Sequence, residues 1–200
     1  GIVFQDPMTA LTPHRTVGAQ ITEVVMQHEA ATRAEARRRA LEIMERVRIT
    51  DPERRFDMYP FELSGGMRQR IVIATALVLR PALLIADEPT TALDVTVQAE
   101  VLRTFRAVVE HTGTSLVLVT HDLGVVAGTC DEVAVMYAGR IVERAEAGEL
   151  FRAPAHPYTR ALLECRPRLG DAPAARLRSI EGQPPSPAQA GTGCAFAPRC

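Results

Sequence analysis

Ala82-Leu83-Leu84-Ile85-Ala86 runs directly into Asp87-Glu88-Pro89. An apolar run with no polar face suits a strand covered on both sides in a parallel sheet. Open α/β sheets present their ligands at the carboxyl ends of such strands, and this end carries two adjacent carboxylates. Side chains alternate along a strand, so the two point different ways and can do different work. Asp87 can hold Mg2+, directly or through a water. Glu88 can orient or deprotonate an attacking water. Pro89 stops the strand, and Asp94 is a good N-cap for the helix that follows. For this segment alone, an acid pair that merely caps the next helix is as ordinary an outcome, so its neighbours decide.

The neighbours supply phosphate chemistry. Leu63-Ser64-Gly65-Gly66-Met67-Arg68-Gln69-Arg70 precedes the acidic strand. Ser64 predicts a cap on a helix from Gly65 to about Arg80, ended by Pro81 and apolar on most sides, hence buried. A helix start with a hydroxyl and two glycines offers unblocked N–H groups and the positive end of the dipole to a phosphate. Downstream, Asp94 opens a helix to about Glu110, with Gly113 beyond its end. A second apolar strand, Ser115–Val119, delivers Thr120-His121-Asp122 to the same sheet edge as Asp87. A lone histidine is usually structural; one at this position suits a γ-phosphate. Gly1–Phe4 forms a further strand and Gln5-Asp6-Pro7 a loop, where the Gln5 amide oxygen can meet a metal or a water.

Between these segments the spacing is helical. Val17–His28 carries apolar residues at 17, 21, 24 and 25, and Thr32-Arg-Ala-Glu35 fits a capping box opening a helix to about Val47. Leu123–Gly128 is a short helix. Val133–Tyr137 and Arg140–Arg144, joined by Ala138-Gly139, predict a hairpin that closes the sheet at its edge.

With 23 Lys+Arg against 24 Asp+Glu, the formal charge of −1 gives no bulk attraction to nucleic acid or anionic lipid. No apolar run approaches the length of a membrane span, so a membrane role runs through a partner. Gly1-Ile2-Val3-Phe4 has no basic n-region, is not a signal peptide, and starts as if inside a strand, as expected of a piece beginning mid-domain. The tail changes character. Ala153-Pro-Ala-His-Pro-Tyr158 leads to a short helix from Thr159 to about Cys165, and beyond Gly170 the Pro, Ala and Gly content predicts extended or mobile chain. Four irregularly spaced cysteines fit reduced thiols. Cys194 and Cys200 are either free or a pair of iron–sulfur ligands.

Taken together, the motifs resemble the ATP-binding subunits of ABC transporters. LSGGMRQR is similar to the family's signature motif, LLIADEPT to its Walker B, TALD to its D-loop, VTHD to its switch-histidine loop and FQDP to its Q-loop, in the family's order. DPMTALTP, ELSGGMRQR, DEPTTALDVTVQ and HPYTRALL resemble the oligopeptide/dipeptide (and nickel) importer branch. The resemblance implies a mostly parallel α/β sheet of RecA-like ABC ATPase type over residues 1–152. A helical subdomain is inserted at about 17–80, and an importer-type extension follows over 153–200. It implies ATP and Mg2+, with Asp87 and Gln5 at the metal and Glu88, His121 and Gln5 in catalysis. Ser64, Gly65 and Gly66 would reach a partner's ATP, and Asp94 would help form the seam. A cysteine cluster near the C-terminus is proposed to hold an iron–sulfur centre in that branch, for which Cys194 and Cys200 are the candidates.

Implied partners are a second ATPase subunit, identical or paralogous, the permease subunits, and indirectly an extracellular solute-binding protein, but no nucleic acid. The implied location is the cytoplasmic face of the cell membrane, peripherally bound. The family's G-x-x-x-x-G-K-[ST] loop is nowhere in these 200 residues, so this stretch alone is expected neither to bind ATP measurably nor to hydrolyse it. Alternatives are an ABC-type ATPase working in DNA repair or translation, which would not be expected to carry HPYTRALL, and a nickel importer subunit. A degenerate regulatory subunit is disfavoured by the intact Glu88 and His121. The cargo is chosen by residues outside this sequence.

Overall fold

The computed structural model describes residues 1–91, 93–165, 179–185 and 193–200, with the side chain of Val108 left aside. The expectation of extended chain beyond Gly170 concerns mainly 171–178 and 186–192, which lie outside the described residues. Two compact units are present, Gly1–His121 and Asp122–Cys200.

In the first unit, β1 (Ile2–Val3), β2 (Leu83–Asp87) and β3 (Ser115–Val119) form a parallel sheet in that order. Ile2 faces Ile85 and Val3 faces Ala86, while Asp87 is level with Val119. Because all strands run the same way, their carboxyl ends share one edge. Gln5 follows β1 by two residues, Glu88 follows β2 directly, and His121 follows β3 by two. Leu84 and Ala86 are fully buried, and Leu116 and Leu118 pack on the same core. The strands are not covered on both faces, however. Leu83, Val117 and Val119 are 44%, 47% and 48% exposed, since period-2 alternation sends them to the other face of the sheet.

Helices fill the space between β1 and β2. They are α1 (Pro7–Ala10), α2 (Val17–His28), α3 (Arg33–Arg46), α4 (Pro52–Phe56) and α5 (Gly65–Leu77). α1 stands where a loop was expected: the Asp6 side chain accepts from Met8 N, and Pro7 presets the first turn. Thr32 caps α3 through Glu35 N, but the box is not reciprocal, because the Glu35 carboxylate pairs with Arg38 one turn on. α5 stops at Leu77, short of the predicted Arg80. Arg80 adopts φ +49° and donates back to Leu77 O, and the Arg39 guanidinium takes Val78 O at 3.0 Å. The chain is turned before Pro81 is reached. Val17, Ile21, Ala36, Ala40, Met44, Ile71 and Ile73 are fully buried between these helices. α6 (Val95–Thr112) then returns the chain to β3, ending at Gly113 with φ +68°.

In the second unit, α7 (Leu123–Thr129) leads to β4 (Glu132–Tyr137), β5 (Arg140–Glu146), α8 (Ala147–Arg152) and α9 (Pro157–Glu164). The hairpin turns at Ala138 and Gly139, with φ +48° and +76°, the geometry a two-residue antiparallel connection requires. Where the sequence predicted closure of the parallel sheet, the described residues give two separate sheets. β4 and β5 make a two-stranded sheet of their own, its ladder satisfied strand against strand and clipped by Arg144 on Glu132.

α9 starts two residues earlier than predicted, because the His156 ring caps it by accepting from Tyr158 N, and Pro157 fills the first turn. Tyr158 packs on Tyr137 and Phe196, and Arg199 donates to Ile180 O, Glu181 O and the Tyr137 hydroxyl. Among the described residues no helix is long and apolar enough to cross a membrane.

Glu143 of β5 anchors the start of this tail, accepting from Ala155 N at 2.7 Å and His156 N at 3.0 Å. Partial burial pushes its carboxyl upward, but the bonds from Ala155 N and His156 N, with the neighbouring Thr159 and His156 side chains, outweigh that and hold it below the ordinary value of 4.5. A depressed acid stabilises the fold above its unfolded pKa, and that contribution disappears as pH falls through the folded value. Glu143→Gln is therefore expected to lower stability by about 1–2 kcal/mol at pH 7, and variant and parent should converge below pH 4.5. Thermal melts across pH check this; a gap of constant size would contradict it.

Candidate functional site

The acidic strand delivers its two carboxylates differently. Asp87 ends β2 in register with Val119, exposed at the strand end. Glu88 leaves the ladder with φ +43°, a left-handed conformation costly for a residue with a long side chain, and its N–H is fixed on Val119 O at 2.8 Å. The turn 88–91 closes through Thr91 N to Glu88 O, over a buried Thr90. A strained backbone pinned this way aims the carboxylate along the sheet edge.

Three donors converge on that carboxylate. Gln5 Nε2 donates to Oε2 at 2.8 Å, Thr91 Oγ1 donates to Oε2 at 2.9 Å, and His121 Nδ1 lies 2.9 Å from Oε1. The His121 bond, then the Thr91 bond, hold the Glu88 carboxyl below its usual range against a smaller desolvation effect. Glu88 is thus an anion with its direction fixed. Its side chain is 26% exposed, and that of His121 71%, so the site opens to solvent. With Nδ1 engaged on Glu88, the His121 ring leaves Nε2 for another partner.

The donor set suits a hard cation beside this cluster. The Asp87 carboxylate and the Gln5 amide oxygen, whose Nε2 is already engaged on Glu88, are oxygen ligands of the kind Mg2+ takes. The structure therefore brings together Gln5, Glu88 and His121, with Asp87 adjoining. Thr91 is a member that sequence reasoning missed. The signal was available, because a hydroxyl three residues beyond Glu88, across a Pro turn, can fold back onto it.

Ser64, Gly65, Gly66 and Asp94 form a second group. Ser64 Oγ accepts from Met67 N and caps α5; Asp94 accepts from Thr96 N and Val97 N and caps α6. A Cβ on Gly66 would meet Val97 Cγ1 at 2.5 Å, while one on Gly65 finds only Leu93 Cδ2 at 3.9 Å. Gly66 is small so that α5 can lie against α6, and Gly65 is the more open of the two. Two helix starts side by side, both capped, make a surface favourable to anions. Among the described residues no hydrogen bond or ion pair joins this group to the Glu88 cluster.

The arginines of the same octapeptide are structural. Arg68 donates to Pro60 O and Phe61 O, and Arg70 to Arg48 O and the Glu100 carboxylate. Cys194 Sγ lies 3.7 Å from His156 Nε2, and Cys194 and Cys200 are both exposed free thiols. No group of three or more His, Cys, Asp or Glu side chains among the described residues is placed to hold a metal.

Comparison with known proteins gives matches along the whole chain. Residues 1–91 match the family model described as ABC transporter, and residues 142–200 that described as oligopeptide/dipeptide transporter, C-terminal region. A probable peptide ABC transporter ATP-binding protein, y4tR of Sinorhizobium fredii, is 55% identical over 199 residues, covering 100% of this chain and 59% of the relative. The chain thus spans about three fifths of that relative's length. Among solved structures, cbiO1 of Clostridium perfringens, part of an ABC transporter complex, aligns with TM-score 0.69 and 31% identity over 76% of this chain and 59% of that one. The ATP-binding cassette MJ0796, a dimer in a post-hydrolysis state with ADP and Pi, aligns with TM-score 0.62 and 29% identity over 74% and 62%.

Proposed function

The chain belongs to the ABC transporter ATP-binding family, and from that membership we propose that the complete protein hydrolyses ATP to drive import of oligopeptides or dipeptides. The observation that carries the chemistry is the convergence of Gln5, Thr91 and His121 on an anionic Glu88 at the carboxyl ends of three parallel strands. The peptide branch is supported by the match of residues 142–200.

Phosphoryl transfer needs charge neutralisation and an in-line water more than it needs covalent chemistry. Glu88 orients or deprotonates that water, and His121 meets the γ-phosphate. Asp87 and the Gln5 amide oxygen would hold Mg2+, which when bound neutralises phosphate charge. Ser64, Gly65 and Gly66 face the ATP of a second ATPase subunit, with Asp94 at the seam, so that hydrolysis waits for closure of the pair. Gln5 carries the state of the nucleotide to permease subunits docked on the helices of about 17–80. The protein then sits at the cytoplasmic face of the membrane, held there by those partners, with 153–200 as its importer-type extension. The 200 residues contain no G-x-x-x-x-G-K-[ST] loop, and without its lysine and backbone nest they are not expected to hydrolyse ATP by themselves.

The test is reconstitution of the complete subunit with its permease partners in vesicles, with a binding protein supplied outside. ATP-dependent uptake of labelled di- to pentapeptides is expected. Uptake of Ni2+ instead would redirect the cargo, and ATP hydrolysis that persists with no permease bound and no solute moved would overturn the transport role.

A further inference from the structure

The three donors on Glu88 are not equivalent. Gln5 lies 83 positions away after β1, and His121 33 positions away after β3, so both reach Glu88 from other segments. Thr91 belongs to the same turn, tied by its own N–H to Glu88 O at 3.3 Å and by its hydroxyl to Oε2 at 2.9 Å. Whatever the other segments do, Thr91 travels with Glu88.

The oxygen they use matters as well. A carboxylate oxygen offers about two lone-pair directions. Gln5 Nε2 and Thr91 Oγ1 occupy Oε2 together, and the ring of His121 is on Oε1. No water can align on Oε2 while Gln5 is docked. Once Gln5 withdraws, one direction opens and Thr91 still holds the other.

We propose that Thr91 is a positioning residue: its hydroxyl fixes the rotation of the Glu88 carboxylate, so that the direction Gln5 vacates is the one offered to the attacking water. This rests on the role given to Glu88 above. Gln5 reaches Oε2 from another segment and Thr91 from the turn of Glu88 itself, and the two act on a single oxygen. The groups facing Glu88 are thus the Gln5 amide, the Thr91 hydroxyl and the His121 ring, with the Asp87 carboxylate next along the chain.

The experiment compares Thr91→Val and Thr91→Ser in the complete subunit assembled with its permease. Val is close to isosteric and removes the donor; Ser keeps it. For Thr91→Val, kcat should fall roughly tenfold with KM for ATP within about twofold, because the bond acts on the positioned water and not on nucleotide affinity. Thr91→Ser should recover most of the rate. A crystal structure of the Val variant should show the Glu88 carboxylate in more than one rotamer, with thermal stability unchanged. Parental kcat and a single Glu88 rotamer in Thr91→Val would overturn the proposal, as would a loss that Ser does not restore. If Glu88→Gln itself turns over normally, the assignment of Glu88 fails and takes this one with it. A dead Glu88→Gln beside an unaffected Thr91→Val removes Thr91 alone.

Discussion

Glu88→Gln in the complete subunit is expected to lower ATP turnover by roughly two orders of magnitude or more, the effect of removing a positioned base. The substitution keeps the size of the side chain and most of its bonding. An amide oxygen at the Oε2 position still accepts from Gln5 and Thr91, now 2.8 and 2.9 Å away. The charge is lost, together with the proton affinity that lets the carboxylate act on water and the attraction that orders His121. Nucleotide affinity should change far less than turnover, since the amide still accepts from Gln5 and the other groups assigned to phosphate and metal, Asp87, Ser64, Gly65 and Gly66, are left untouched. Equilibrium ATP binding and single-turnover hydrolysis, measured side by side, separate the two. Hydrolysis near the parental rate would end the proposed role of Glu88, however well its neighbours are arranged.

Gly18→Ala carries the largest expected effect on stability. α2 passes so close to Phe56 that a Cβ on Gly18 would lie 2.3 Å from the ring carbons. The ring has little room to retreat, being 8% exposed in the core with the Arg37 guanidinium 4.2 Å from its centroid on another side. Alanine favours a helix interior by up to ~1 kcal/mol over glycine, but expelling the ring forfeits its burial and the cation–π contact. The net loss should be about 3 kcal/mol, or a melting temperature lower by roughly 6–12 °C in a protein of this size. Gly128→Ala is the control: a Cβ at that α7 position would meet only open space, and the substitution should be neutral or slightly stabilising. In the double variant Gly18→Ala/Phe56→Ala the two losses should be markedly less than additive. Additive losses would mean that the close approach is not what makes glycine necessary.

The parts of the fold written in local chemistry were legible in the sequence. Thr32, Ser64 and Asp94 each cap the helix that follows, as expected, and capping is decided within a few residues. Val17–His28 was legible to the residue from its 3.6-residue apolar period, and the structure adds a Thr16 cap at its start. The misses are of another kind. Whether a strand is covered on one face or two depends on what packs against it, so the apolar run at Ala82–Ala86 overstated its burial. Whether a hairpin joins a neighbouring sheet depends on a partner strand, and β4 with β5 shows that the pattern of one pair does not report it. At the site, the strand-end placement of Gln5, Glu88 and His121 followed from parallel topology alone. Thr91 escaped because its place three residues beyond Glu88, across Pro89, was not used, although the left-handed turn at Glu88 is what brings its hydroxyl onto the carboxylate. Gly66 has a second reason to be glycine that the motif did not reveal, since a Cβ there would meet Val97 of α6.

The single backbone bond from Glu88 N to Val119 O yokes two of the reacting groups mechanically. His121 follows Val119 by two residues, so any displacement of the β3 terminus carries imidazole and carboxylate along as one body. Gln5 reaches the cluster by its side chain alone, through Nε2 on Glu88 Oε2. Amide hydrogen exchange should accordingly be slow at Glu88. Carboxylate and imidazole then keep their mutual geometry throughout.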